Sequence, residues 1–126
     1  MATIISGTGS IIPPIIKSNK DFIENTFYDE QSERIKSPNE EIVEKFKGIT
    51  GIVERRYADI NVNTSDLATA AAKLAIEDAG TDPETIDQII VAHNFGDVDA
   101  GTIQSDAIPA IASRVKHNLG IVNPAC

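Results

Sequence analysis

Apolar and polar residues follow two different periods along this chain, and the change from one to the other marks its elements. Ala2 to Ser6 is short, rich in isoleucine and threonine, and runs into Gly7-Thr8-Gly9-Ser10, a pattern that predicts a buried strand followed by a tight turn. Beyond Pro13-Pro14, Ser18-Asn19-Lys20-Asp21 predicts the cap of a short helix with Phe22, Ile23 and Phe27 on its inner face. Ser37-Pro38-Asn39-Glu40 joins a capping serine to a proline at the first helical position and a glutamate three residues on. The helix that follows carries Ile42, Val43 and Phe46 inward, with Gly48 placed to end it. Ile49 to Ile60 reads as strand or loop, exposed and charged at Glu54-Arg55-Arg56-Tyr57.

The longest helix is predicted from Thr64-Ser65 to Ala79, with Leu67, Ala71, Leu74 and Ala75 on one face and Gly80 at the C-cap position. Its six alanines between Ala68 and Ala79 allow a neighbour to lie close. Thr81-Asp82-Pro83-Glu84 then turns the chain into Ile86 to Ala92, whose unbroken apolar end predicts a strand covered on both faces. A helix, a short link and a covered strand imply a parallel crossover unit. His93 to Ser105 reads as a polar loop. Asp106 is placed to cap a helix with Ile108, Ile111, Ala112, Val115 and Leu119 along one stripe, ending at Gly120. Ile121 to Cys126 begins another strand. With no repeat, low-complexity tract or linker, the expectation is one α/β domain over residues 1–126.

Composition narrows the classes. The chain has 126 residues, 41% hydrophobic and 24% charged, with a mean hydropathy of -0.10, which fits a soluble folded chain. Eleven Lys and Arg against 19 Asp and Glu leave a net charge of -8, a field that disfavours nucleic acid as a partner. No apolar run is long enough for a membrane span, and the start lacks the basic region of a signal peptide. The single cysteine, Cys126, excludes an internal disulfide, and a cytoplasmic protein is the expectation.

Few residues offer chemistry. Gly7-x-Gly9 follows a strand, but the third glycine position of a dinucleotide fingerprint is Ile12 and Pro13-Pro14 blocks a helix there, so a simple strand-turn is expected. His93, Asp97 and Asp99 match no metal spacing and read as loop polarity. His93 and Asn94 are substrate-pocket candidates, because ligands of open α/β sheets gather at the carboxyl ends of strands. Lys116 and His117 read as charges favouring a helix C-terminus, and Arg55-Arg56 as a phosphate grip or a solvated patch. Cys126 is the nucleophile candidate. A cysteine leaving a strand just before a helix N-terminus meets orphan amides and the positive end of a dipole, both of which stabilise thiolate.

Taken together, Gly7-Thr8-Gly9-Ser10 with Pro13, Asn19 and Asp21, then Thr50-Gly51-Ile52 with Arg55-Arg56, resemble the N-terminal part of the β-ketoacyl-acyl carrier protein synthase III family of the thiolase-like superfamily. Asp66 to Gly80, Ile86 to Ala92, Leu119-Gly120-Ile121 and Ala125-Cys126 follow in the family's order. The resemblance implies an α/β, thiolase-like N-terminal half, with a mixed, largely parallel sheet covered by helices and truncated at the nucleophile strand. It implies an acyltransferase in which Cys126 takes an acyl group from acyl-coenzyme A, used as substrate with no separate cofactor or metal. The acyl group is then condensed with malonyl-acyl carrier protein, the chemistry that starts fatty-acid biosynthesis. It also implies a homodimer, or self-association of a fragment that is itself inactive because the family's histidine and asparagine lie downstream. Apolar surface is then expected to be exposed around Ile121, Val122 and the helix from Asp106 to Leu119. Where acetyl-coenzyme A users often carry tryptophan and arginine before Thr-Gly-Ile, this chain has Phe46-Lys47-Gly48-Ile49, so the resemblance does not extend to the acyl starter. Two other readings fit the same residues: a non-catalytic binding or scaffold module, and a hydroxymethylglutaryl-type or polyketide-type condensing enzyme.

Overall fold

Asn63 to Gly80 folds as its spacing predicts. In a computed structural model that describes residues 3–126, the helix there, α2 in chain order, spans Thr64–Ala79. Its N-terminus is closed where Asn63 N donates to Asp66 Oδ2 at 2.9 Å, and Gly80 ends it in the left-handed conformation. The remaining elements in chain order are β1 (Ile15–Ser18), α1 (Asn39–Thr50), β2 (Glu54–Tyr57) and α3 (Ile111–Leu119), with single 3-10 turns at Asn19–Phe22 and Pro83–Thr85. These fall into two compact units, Pro13–Tyr57 and the rest of the chain.

In Pro13–Tyr57, β1 and β2 pair antiparallel with Ile15 opposite Tyr57 and Ser18 opposite Glu54. The helix expected around Phe22 is one turn only. Asp21 Oδ2 accepts from Ser18 N at 2.6 Å and Ser18 Oγ at 2.7 Å, so the cap forms without a helix to follow it, and these bonds hold the Asp21 carboxyl below its ordinary pKa. In α1, Ile42 is buried and Phe46 is exposed, its ring 6.0 Å from that of Phe27. Gly48 does not end α1; the helix runs on to Gly51, which takes φ +67° and returns its N–H to Lys47 O at 2.8 Å.

In the other unit, α2 packs on α3, and Ile111, Val115 and Ile121 are buried. The buried residues of α2 are Ser65 and Thr69 rather than Leu67 and Leu74. Thr69 is accommodated because its Oγ1 donates to Ser65 O one turn back, at 2.7 Å. The small residues on the opposite side serve close approach: a Cβ on Gly7 would fall 2.5 Å from Ala75 O, and one on Gly9 2.5 Å from Ala75 N. Gly7 and Gly9 are therefore a packing device against the alanine face, not a phosphate loop.

Three expectations are corrected here. Residues 3–6 and 86–92 form no strand, and among the described residues the only sheet is the antiparallel pair, so the largely parallel sheet is absent; Ala2 lies outside the described residues. A covered strand takes all its hydrogen bonds from neighbours, and no strand lies alongside either segment. Second, α3 starts at Ile111 and not at Asp106, because Pro109 lacks an N–H and disfavours helical geometry in the residue before it. Third, Ile121 and the inner face of α3 are buried, while Val122 and Ile108 are exposed as expected, and Ile4, Ile5, Ile90 and Phe95 are exposed as well.

Candidate functional site

Residues 121–126 form a turn, not the predicted strand, and the turn is tied from two sides. Glu84 accepts from Val122 N at 2.9 Å and Asn123 N at 2.8 Å, while Asn123 Nδ2 donates to Glu84 O at 2.9 Å. From α3, Lys116 Nζ donates to Asn123 O at 2.7 Å and Cys126 O at 2.9 Å. Lys116 thus spends its charge on the carbonyls of this turn. Cys126 is half-buried, with its N–H on Asn123 O at 3.3 Å. It lines a cleft of ≈ 220 Å³ with Asp87, Gln88, Ile89, Ala112, Ser113 and Lys116.

The strand-to-helix setting expected to activate Cys126 is not what the described residues show. The thiol stands in a turn beside an ammonium group that is already engaged. No histidine lines its cleft: His93 and Asn94 are exposed at the head of the following loop, and His117 lines a separate cleft of ≈ 310 Å³ with Asn63, Ser65, Asp97 and Arg114. The cleft at Cys126 offers a thiol and room for a substituent on it, with the Asp87 carboxylate and the engaged Lys116 as its titratable neighbours and no histidine.

Asp97 corrects the reading of loop polarity. It is 1% exposed and accepts from Ser65 N at 2.8 Å, Ser65 Oγ at 2.7 Å and Arg114 Nη1 at 3.2 Å. Arg114 also donates to Asp106 Oδ2 at 2.6 Å, which holds the Asp106 carboxyl below its ordinary pKa and raises that of the guanidinium. Among the described residues no group of three His, Cys, Asp or Glu side chains is placed to hold a metal ion, and no helix is long and apolar enough to cross a membrane. Glu84, Asn123, the burial of Asp97 and the reach of Lys116 escaped sequence reading. Only Asn123-Pro124, a turn-forming pair, signalled any of them.

Within Pro13–Tyr57 the two arginines part ways. Arg55 Nη1 donates to Asn19 Oδ1 at 3.1 Å, and its guanidinium lies 5.3 Å from the centroid of the Phe22 ring. Asn19 in turn donates from its side chain to Ile52 O at 2.8 Å, so Thr50-Gly51-Ile52 is joined to Asn19 through one amide. Arg56 pairs with Glu54 at the surface. A larger groove of ≈ 570 Å³ runs along α1 between Ile35, Ile42, Lys45, Phe46 and Ile49, while Lys47 is paired with Glu44 at 3.2 Å.

No protein-family profile matches the chain. Comparison with curated proteins finds it similar to β-ketoacyl-acyl-carrier-protein synthase III over nearly its whole length. It is 44% identical over 122 residues to synthase III 2 of Vibrio cholerae serotype O1, covering 96% of this chain and 27% of that protein. It is 38% identical over 125 residues to the synthase III of Caldanaerobacter subterraneus subsp. tengcongensis, covering 99% and 31%, and 39% identical over 122 residues to that of Clostridium acetobutylicum, covering 97% and 31%. The chain thus spans about three tenths of the length of the curated relatives it matches.

Proposed function

We propose that the complete protein carrying this segment is a decarboxylating condensing enzyme of the synthase III type. A cysteine thiolate attacks the carbonyl of an acyl-coenzyme A and expels the coenzyme A thiolate. Malonyl-acyl carrier protein then loses carbon dioxide, and the resulting carbanion attacks the acyl thioester and returns the thiolate, leaving a β-ketoacyl-carrier product. The observation that carries this reading is the 37–44% identity to such synthases across 96–99% of the chain. Acyl-coenzyme A enters as substrate and no other cofactor is needed.

Within these residues the acyl acceptor has one candidate, Cys126, the sole thiol. The 126 residues alone do not sustain condensation, because neither His93 nor Asn94 lines the Cys126 cleft and no other histidine or asparagine does. The whole protein works as a homodimer in a reducing, cytoplasmic setting, and the isolated segment self-associates through its exposed isoleucines. The test is product formation: full-length protein with acyl-coenzyme A and malonyl-carrier protein yields a β-ketoacyl-carrier product, and the 126-residue polypeptide yields negligible amounts. A folded full-length protein that makes none with a panel of acyl-coenzyme A starters overturns the proposal and favours a binding module.

A further inference from the structure

The loop from Phe95 to Pro109 is held by polar groups and hardly at all by apolar packing. Phe95, Ile103 and Ile108 are exposed within these residues, so burial against α2 and α3 contributes little to keeping the loop in place. Its base closes where Asp97 and Asp106 pair as an antiparallel bridge, Asp106 N donating to Asp97 O at 2.8 Å, and where Ser105 Oγ donates to Phe95 O. Two helices reach into that base. From the start of α2, Ser65 gives both of its donors to the Asp97 carboxylate and Thr64 Oγ1 donates to Gly96 O at 2.8 Å. From α3, Arg114 donates to Asp97, to Asp106, to Ile108 O at 3.2 Å and, through Nε, to Pro109 O at 2.9 Å. Every side-chain bond of Arg114 lands in this one loop.

We infer that Asp97 and Arg114 form a clasp that shuts the base of the 95–109 loop and that opens without unfolding the α2–α3 pair. The amide of Ser65 lies in the first turn of α2, where it has no acceptor within the helix. Asp97 supplies one, with its charge at the end of the helix that favours an anion. A carboxylate this deeply buried is tolerable only while paired and hydrogen-bonded, and loss of Asp97 removes the acceptor that joins Ser65 of α2 and Arg114 of α3, leaving Arg114 only its bonds to Asp106, Ile108 O and Pro109 O. The helix pair has separate support in Ile111, Val115 and the Asn118 Nδ2 bond to Thr69 Oγ1 at 3.4 Å. The loop is therefore a strap held at its base by polar groups, and its opening is governed by one buried carboxylate.

Amide hydrogen exchange on the full-length protein tests this. In Asp97→Ala, the amides of Thr102 and Asp106 exchange about tenfold faster or more, the scale expected for losing charged hydrogen bonds that govern a local opening, while those of Leu74 to Ala79 and Val115 to Leu119 keep their protection. Asp97→Asn keeps an acceptor for Ser65 N but loses the ion pair, so the loop amides speed up while Ser65 does not. Should Asp97→Ala fail to fold, Asp97→Asn decides by the same amides. Loop amides unchanged, or loop and helix amides accelerated by one common factor, would overturn the clasp.

Discussion

The α2–α3 pair and the apolar segments 3–12 and 86–92 belong to the same unit and are comparably rich in aliphatic residues, yet they end in opposite conditions. The pair closes on itself: Val115 is 2% exposed, with Ile111 and Ile121 close behind. The segments stay open, Ile4 and Ile90 each at 82%. A helix satisfies its backbone within its own sequence and needs only one covered stripe, whereas a strand draws every hydrogen bond from another segment. The segments are strands in pattern without the partners that would make them so. On the proposed function, the remaining seven tenths of the protein supplies those partners.

That contrast is sharpest in a pair of truncations made in the full-length protein. Ile111→Ala is expected to cost about 2–5 kcal/mol in denaturant unfolding, the usual range for emptying a buried aliphatic site. Ile90→Ala, exposed here, is expected to cost a comparable amount if residues beyond these 126 cover its segment. A cost below about 0.5 kcal/mol, the surface value, would break the comparison by making 86–92 a true surface segment. Next in size is Gly9→Ala, expected to destabilise by about 1–3 kcal/mol because the new Cβ meets the backbone of α2, which cannot swing aside as a side chain can. Unfolding that is indifferent to this change would mean that the segment through Gly9 does not lie on α2.

The smallest effect is electrostatic. Asp106 has a folded pKa below its unfolded one, first through its hydrogen bond from Arg114. Its contribution is therefore complete above the unfolded pKa, near the ordinary carboxylate value of about 3.9, and is lost as pH falls through the still lower folded pKa. Asp106→Asn is expected to flatten the dependence of stability on pH below about 4 and to leave the slope near neutrality unchanged. An unaltered acid limb in that variant would show that the Arg114 bond does not persist in solution.

What could be read from sequence follows the same division. Asn63, Asp66 and Gly80 announce α2 to the residue, since caps act over three or four positions. Gly48 misled because a glycine with open space around it can be carried inside a helix, and the stop lay three residues on at Gly51. Pro109 outweighed the apolar stripe that began at Ile108. At the candidate site the local composition singled out Cys126, but not Lys116 and Glu84, which reach its turn from 10 and 39 positions away, nor the burial of Asp97 under Ser65 and Arg114. Distances in sequence of that size leave no periodic trace.

The proposal of a condensing enzyme is tested most directly by the intact mass of the full-length protein after exposure to acyl-coenzyme A, with peptide mapping of any adduct. The account predicts a gain of one acyl group per chain that disappears when malonyl-carrier protein is added, with Cys126 as the mapped position to examine first. An adduct on a cysteine outside these residues would keep the enzyme and remove Cys126 from its chemistry. A folded protein that takes up no acyl group from any starter would contradict the account.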